Sequence, residues 1–334
     1  MKLNVPARAA LLAWFNARER GILFALLIFW AVCAATNPMF RDISTYLSIL
    51  RESSFVGVAA IGMTFCIITG DFDLSVGSML SLLGIAMVAM VGRTGLVPGI
   101  LAVTLLGAAC GVFNGVLVSR LRNPAFIATL AMYYIYRAVA YIVTTGKPVE
   151  FQEPWFTDMG NGSVAGIPTP FLFFVVLVVV GTYVLRRTPF GRAALAIGNS
   201  VRASQISGVR IARMRMLMFT LVGAFTGVAA MLISSRMWSA NSGMKVGYEF
   251  DVIAAVVLGG TSLSGGKGSV VNTFVASIFF ASLNTAMNMF HVDSYMQRVV
   301  IGIVLLFAFS LTGIRGFVAE RVRLRRERAA VAST

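Results

Sequence analysis

The sequence is a succession of long apolar runs divided by short polar connectors, and runs of that kind have one common physical solution. In hydrocarbon every backbone N–H and C=O must be paired within the protein, so a run of about 20 apolar residues folds as a membrane-spanning helix. Such runs fall at 21–36, 55–69, 77–92, 98–118, 124–144, 168–185, 216–234, 251–260, 269–290 and 297–313. The eighth is too short to cross alone. The expected fold is an all-α integral membrane protein of about ten transmembrane helices, with broken helices near the centre. Hydrophobic residues make up 58% of the 334 and charged residues 12%, which leaves little material for a soluble domain. A single membrane domain is therefore expected over 1–334, divided into an arm at 1–20, a bundle at 21–313 and a tail at 314–334.

The net charge of +15 would suggest a nucleic-acid partner in a soluble protein. Here the arginines cluster in a few connectors, which is how membrane proteins mark their cytoplasmic side, so lipid is the expected partner and no nucleic acid is. The segment 186–215 carries Arg186, Arg187, Arg192, Arg202, Arg210, Arg213 and Arg215 with no acid, and the tail carries Arg315, Arg321, Arg323, Arg325, Arg326 and Arg328. Segment 145–167 sets Lys147 against Glu150, Glu153 and Asp158, which suits the outside. Alternating the runs from a basic amino-terminal arm satisfies these placements and puts both termini in the cytoplasm. The first run ends in Asn37-Pro38 with no small-residue cleavage site, so it reads as an uncleaved span.

Several chemistries are excluded. Cys33, Cys66 and Cys110 lie within apolar runs at no metal or disulfide spacing, and His291 is the only histidine, so neither a metal site nor a histidine-based catalytic centre is expected. Gly259 to Ser269 is glycine-rich but fails as a phosphate loop: Thr261 stands where the first glycine belongs, and Gly268 follows Lys267 in place of Ser or Thr. No cofactor is expected on this chain, and any ATP must be hydrolysed by another.

Polar groups at membrane depth are costly unless they line a cavity or are buried in protein. One concentration is Thr69-Gly70-Asp71-Phe72-Asp73-Leu74-Ser75, between two apolar runs with almost no loop. Asp73 or Ser75 can cap the helix that follows; alternatively Asp71, Asp73 and Ser75 border a path for a polar solute. Gly259 to Ser269 is a second break, and its Leu-Ser and glycines echo Asp73 to Met79, which allows an internal repeat. Asn114, Asn272, Asn284 and Asn288 fall within runs, where amides usually join helices. Arg137 falls near the middle of the fifth run, where an unpaired guanidinium costs at least ~2.5 kcal/mol. Asp71, Asp73 or Asp251 is its expected partner.

The stretch Tyr248-Glu249-Phe250-Asp251 through Leu258-Gly259-Gly260-Thr261-Ser262-Leu263-Ser264-Gly265-Gly266 resembles the signature of the ribose-type branch of ABC permeases. Gly62-Met63-Thr64 through Asp73-Leu74-Ser75-Val76-Gly77 is similar to a second hallmark of that family, and Asn123 to Leu130, Phe190 to Val209 and Leu283 to Asn288 add to the likeness. Phe72 and Pro124-Ala125-Phe126 depart from the family pattern. The resemblance implies a permease of a bacterial inner-membrane sugar importer that works by alternating access. The implied partners are a cytoplasmic ABC ATPase, a periplasmic sugar-binding protein and a second permease copy, identical or related. Within 186–215, Gly191, Arg192, Arg202, Ala203 and Gly208 would then form an ATPase-coupling loop, although the charge alone needs no more than positive-inside anchoring. Asp71, Asp73, Ser75, Asn114, Arg137, Asp251, Asn284 and Asn288 are the path candidates. An ion-coupled secondary transporter of a polar solute is the alternative.

Overall fold

A computed structural model describes residues 20–307; the amino-terminal arm, the basic tail and the last residues of the tenth apolar run lie outside them. In chain order the helices are α1 (Arg20–Thr36), α2 (Ile43–Ile68), α3 (Val76–Thr94), α4 (Leu96–Ser119), α5 (Ala125–Thr144), α6 (Pro154–Asn161), α7 (Thr169–Arg187), α8 (Pro189–Asn199), α9 (Val201–Ile206), α10 (Ile211–Met237), α11 (Tyr248–Leu258), α12 (Val270–Met289) and α13 (Ser294–Phe307). Seven of these, α2, α3, α4, α5, α7, α10 and α12, are long and apolar enough to cross a membrane. Within the described residues the first and last expected spans are the apolar helices α1 and α13, and the eighth is an 11-residue half-helix.

Two features depart from the sequence expectation. Helix α2 begins at Ile43, well before the apolar run at 55, because its polar first half satisfies itself: Ser53 and Ser54 each donate to Leu50 O at 2.8 Å, and both are buried. Among the described residues, the connectors of this all-α fold also carry four two-residue strands that the sequence did not suggest. Val149–Glu150 (β1) pairs antiparallel with Ser239–Ala240 (β4), and Ser163–Val164 (β2) pairs with Ile167–Pro168 (β3). These short ladders tie down connectors that would otherwise leave backbone groups unpaired.

Helices α4 and α10 meet along glycines. Gly107, Gly111 and Gly115 recur every four residues on α4 and face Gly223, Phe219 and Met216 of α10, while Gly227 faces Val103. Gly107 and Gly223 each sit against the other's carbonyl oxygen. Small residues at this spacing let helix backbones touch, and that contact replaces the hydrophobic force that lipid cannot supply. At another edge α1 packs on α12, where Trp30 Nε1 donates to Ser282 Oγ at 2.8 Å.

Between β4 and α11 the chain re-enters the bundle. Residues 241–247 lie along α3, with Ser81 Oγ donating to Met244 O at 2.9 Å. The Tyr248 hydroxyl then donates to Phe55 O, so α11 begins beside the middle of α2. It runs toward the end of α2, where Gly266 N donates to Ile68 O at 2.8 Å. Met244 is buried, while Ser242, Lys245 and Val246 line cavities, and irregular backbone is tolerated within a membrane protein where it lines such cavities.

Candidate functional site

The two helix breaks are built alike. At the end of α2, Gly70 takes φ +87°, its N–H donates to Ile67 O at 2.9 Å, and the Asp71 N–H donates back to Cys66 O at 3.3 Å. At the end of α11, Gly260 takes φ +81°, its N–H donates to Val257 O at 2.8 Å, and the Thr261 N–H donates back to Val256 O at 3.3 Å. This is the left-handed glycine cap that closes a helix on its own carbonyls. Both helices therefore stop without exposing a frayed end.

After the first cap, Asp73, Ser75 and Asn114 come together in a knot from which solvent is excluded. Asp73 Oδ1 accepts from Ser75 N at 2.8 Å and from Ser75 Oγ at 2.6 Å, and Asp73 Oδ2 accepts from Asn114 Nδ2 at 2.9 Å. Asn114 Nδ2 also reaches Ser75 Oγ at 2.8 Å, and Asn114 Oδ1 accepts from the Tyr136 hydroxyl at 3.0 Å. Leu74 N donates to Thr129 Oγ1 at 3.1 Å. The knot ties the start of α3 to α4 and α5. Asp73 holds the turn by taking the Ser75 N–H, whereas Ser75 at the N-cap position makes no side-chain cap.

Asp71 stands apart, paired with Arg215 at the start of α10, with 3.0 Å between Oδ2 and Nε. The contact lacks hydrogen-bond alignment, so it is an ion pair, with the carboxylate side chain 9% exposed and the guanidinium 30%. Removing one partner strands the other charge. Arg215→Gln is expected to lower stability by on the order of 2 kcal/mol, with Asp71→Asn/Arg215→Gln recovering most of it; thermal unfolding of the purified protein in detergent is the measurement.

The other candidates lie elsewhere. Asp251, Asn284 and Asn288 line one cavity of about 590 Å³ between α2, α11, α12 and α13, together with Glu52, Lys245 and Arg298. That volume suits a small polar molecule. Arg137 lines a second cleft of about 660 Å³ with Tyr133, Tyr134, Tyr141, Ser242 and Val246. None of the three expected acids is its partner. Its guanidinium donates to Ser242 O and lies 5.3 Å over the Tyr133 ring. The physical reason is that the irregular segment 241–247 offers carbonyls with no helical donor, which a guanidinium can satisfy without a carboxylate.

The basic segment folds into α8 and α9. Thr188 caps α8 by accepting from Gly191 N at 3.3 Å, with Pro189 in the first turn, and Gly191 abuts Leu185 O so closely that no side chain fits. Ser200 caps α9 by accepting from Ala203 N at 3.2 Å. Arg192, Arg202, Ala203 and Gly208 are all exposed, and Ile206 beside them is 82% exposed. Sequence reasoning passed over Gly198, at the end of α8, which packs on Ile68 O and Gly266 N. A glycine within an alanine-rich helical turn, where it weakens the helix, was the available signal. It also passed over Glu249, a buried carboxylate against which Gly77 packs.

Comparison with known proteins agrees with this architecture. A model of the family described as the branched-chain amino acid transport system permease component matches residues 45–309. The chain is 38% identical to the ribose import permease of Bacillus subtilis strain 168, covering 88% of this chain and 92% of that one. It is 37% identical to the ribose import permease of Escherichia coli K12, covering 89% and 93%. It is 34% identical to the L-arabinose ABC transporter permease of Azospirillum brasilense, covering 91% and 90%. No solved structure matches. With helices built for the bilayer and a likeness that runs through nearly all of them, the chain is a multi-pass inner-membrane transport subunit, not an enzyme, and belongs to the branched-chain amino acid transport system permease component family.

Proposed function

We propose that this chain is the membrane-spanning permease of an ATP-driven, binding-protein-dependent importer of a simple sugar. The observation that carries the proposal is the similarity, over about nine-tenths of both chains, to permeases named for ribose and arabinose. The geometry is compatible with such cargo. A neutral polyol needs alternating donors and acceptors, and the cavity carrying Asp251, Asn284 and Asn288 presents both. The exposed surface of α8 and α9 is the expected seat of an ATPase, with both termini on the same cytoplasmic side. Two permease copies, identical or related, would enclose the path and alternate its access.

The test is uptake of labelled ribose and arabinose in membrane vesicles that hold the permease, its ATPase and its binding protein. ATP-dependent accumulation of one of them, at least about ten-fold above vesicles lacking the permease, is expected. Uptake that persists on an ion gradient without ATP would favour an ion-coupled transporter instead.

A further inference from the structure

The end of α8 meets both helix breaks at one point. Within the cap of α2, the Cys66 and Ile67 carbonyls are taken by Thr69, Gly70 and Asp71, but Ile68 O is taken from across the bundle by Gly266 N at 2.8 Å. That single bond joins the first break to the second. Gly198 lies directly on it: a Cβ there would collide with both Ile68 O and Gly266 N. From the other side, a Cβ on Gly265 would stand 2.9 Å from Gly198 Cα. Asn199 completes the junction, its Nδ2 donating to Leu195 O at 2.8 Å and to Gly266 O at 3.4 Å. The backbone of Gly265 and Gly266 can approach this closely because both take φ near +80° and +76°, where side chains are strained.

We infer that Gly198 and Asn199 are positioning residues through which movement of the basic α8–α9 segment reaches both helix breaks together. The inference rests on the importer reading given above. A close backbone contact with no intervening side chain transmits displacement without rotamer slack. Helix α9 turns off α8 at Ser200, one residue beyond the junction, so a push on the exposed face of α9 arrives first at Asn199 and Gly198. Helix α8 is held at its other end by the Gly191–Leu185 contact, which leaves the junction as its working end.

The experiment uses the complete complex of permease, ATPase and binding protein in proteoliposomes, measuring sugar moved per ATP hydrolysed. Gly198→Ala, whose Cβ must part the junction, is expected to lower that ratio at least about ten-fold in the complex that assembles, whatever its yield, with basal ATP hydrolysis kept. Asn199→Ala, which removes only a side chain at the surface end of the junction, is expected to lower it about three-fold and cannot be dismissed as misfolding if the yield is normal. Gly266→Ala should reproduce the Gly198→Ala loss, and the double variant should be no worse than either single one. Gly21→Ala, with nothing near its position, serves as the control. An unchanged ratio in Asn199→Ala, or additive losses in the double variant, overturns the junction. If the unaltered complex moves no sugar with ATP, the importer reading itself fails, and the inference with it.

Discussion

Replacing Asp73 with Asn will destabilise the protein by about 2–3 kcal/mol, and replacing Asn114 with Asp in the same chain will return most of that loss. In the native knot Asp73 only accepts, with one oxygen on Ser75 and the other on Asn114 Nδ2. An amide at position 73 must keep its oxygen toward the Ser75 N–H and hydroxyl, so its NH₂ faces the Asn114 NH₂. Two donors then meet where no water reaches, since both side chains are fully buried. The second substitution restores an acceptor: an aspartate at 114 receives the new NH₂ and still accepts from the Tyr136 hydroxyl. Thermal unfolding of the two single variants and the double variant in detergent measures the cycle. Additive losses would mean that the knot is not a unit.

Gly223→Leu will prevent the protein from accumulating in a folded form. On the seam between α4 and α10, Gly223 rests on Gly107 O, and a Cβ at 223 would also stand 2.9 Å from Gly111 N. The obstacle is backbone on both sides, so no rotamer change relieves it and the helices must part. Parting them strips contact from Gly107, Gly111, Gly115 and Gly227 at once, well beyond the 1–3 kcal/mol of ordinary overpacking. A Leu at Gly95, which faces open space but takes φ +82°, should cost far less. The ratio of monodisperse to aggregated protein after detergent extraction separates the two variants.

These expectations also indicate what the sequence could disclose. Apolar runs located the membrane helices, because lipid imposes a composition that needs no knowledge of neighbours. The half-length α11 was legible for the same reason, its run being too short to cross. The polar first half of α2 was not, since only tertiary burial explains how Ser53 and Ser54 sit in a long helix. Within the site, Asp73, Ser75 and Asn114 were each visible as polar residues between or within apolar runs, but their convergence depends on how α4 crosses the first break. Arg215 appeared only as one of many basic residues, and nothing local to it pointed to Asp71. Arg137 was visible as a charge out of place, yet its acceptor is a backbone carbonyl, a group every residue carries and no sequence distinguishes.

The re-entrant segment also has a consequence for volume. Val246 belongs to both the 590 Å³ cavity and the 660 Å³ cleft, and its neighbours divide between them, Lys245 and Gly247 facing one, Ser242 and Gly243 the other. A partition common to two chambers cannot yield to one without encroaching on the other. The wall between Asp251 and Arg137 is thus a seven-residue run of turns rather than a helix, and any shift of Val246 alters the lining of both spaces.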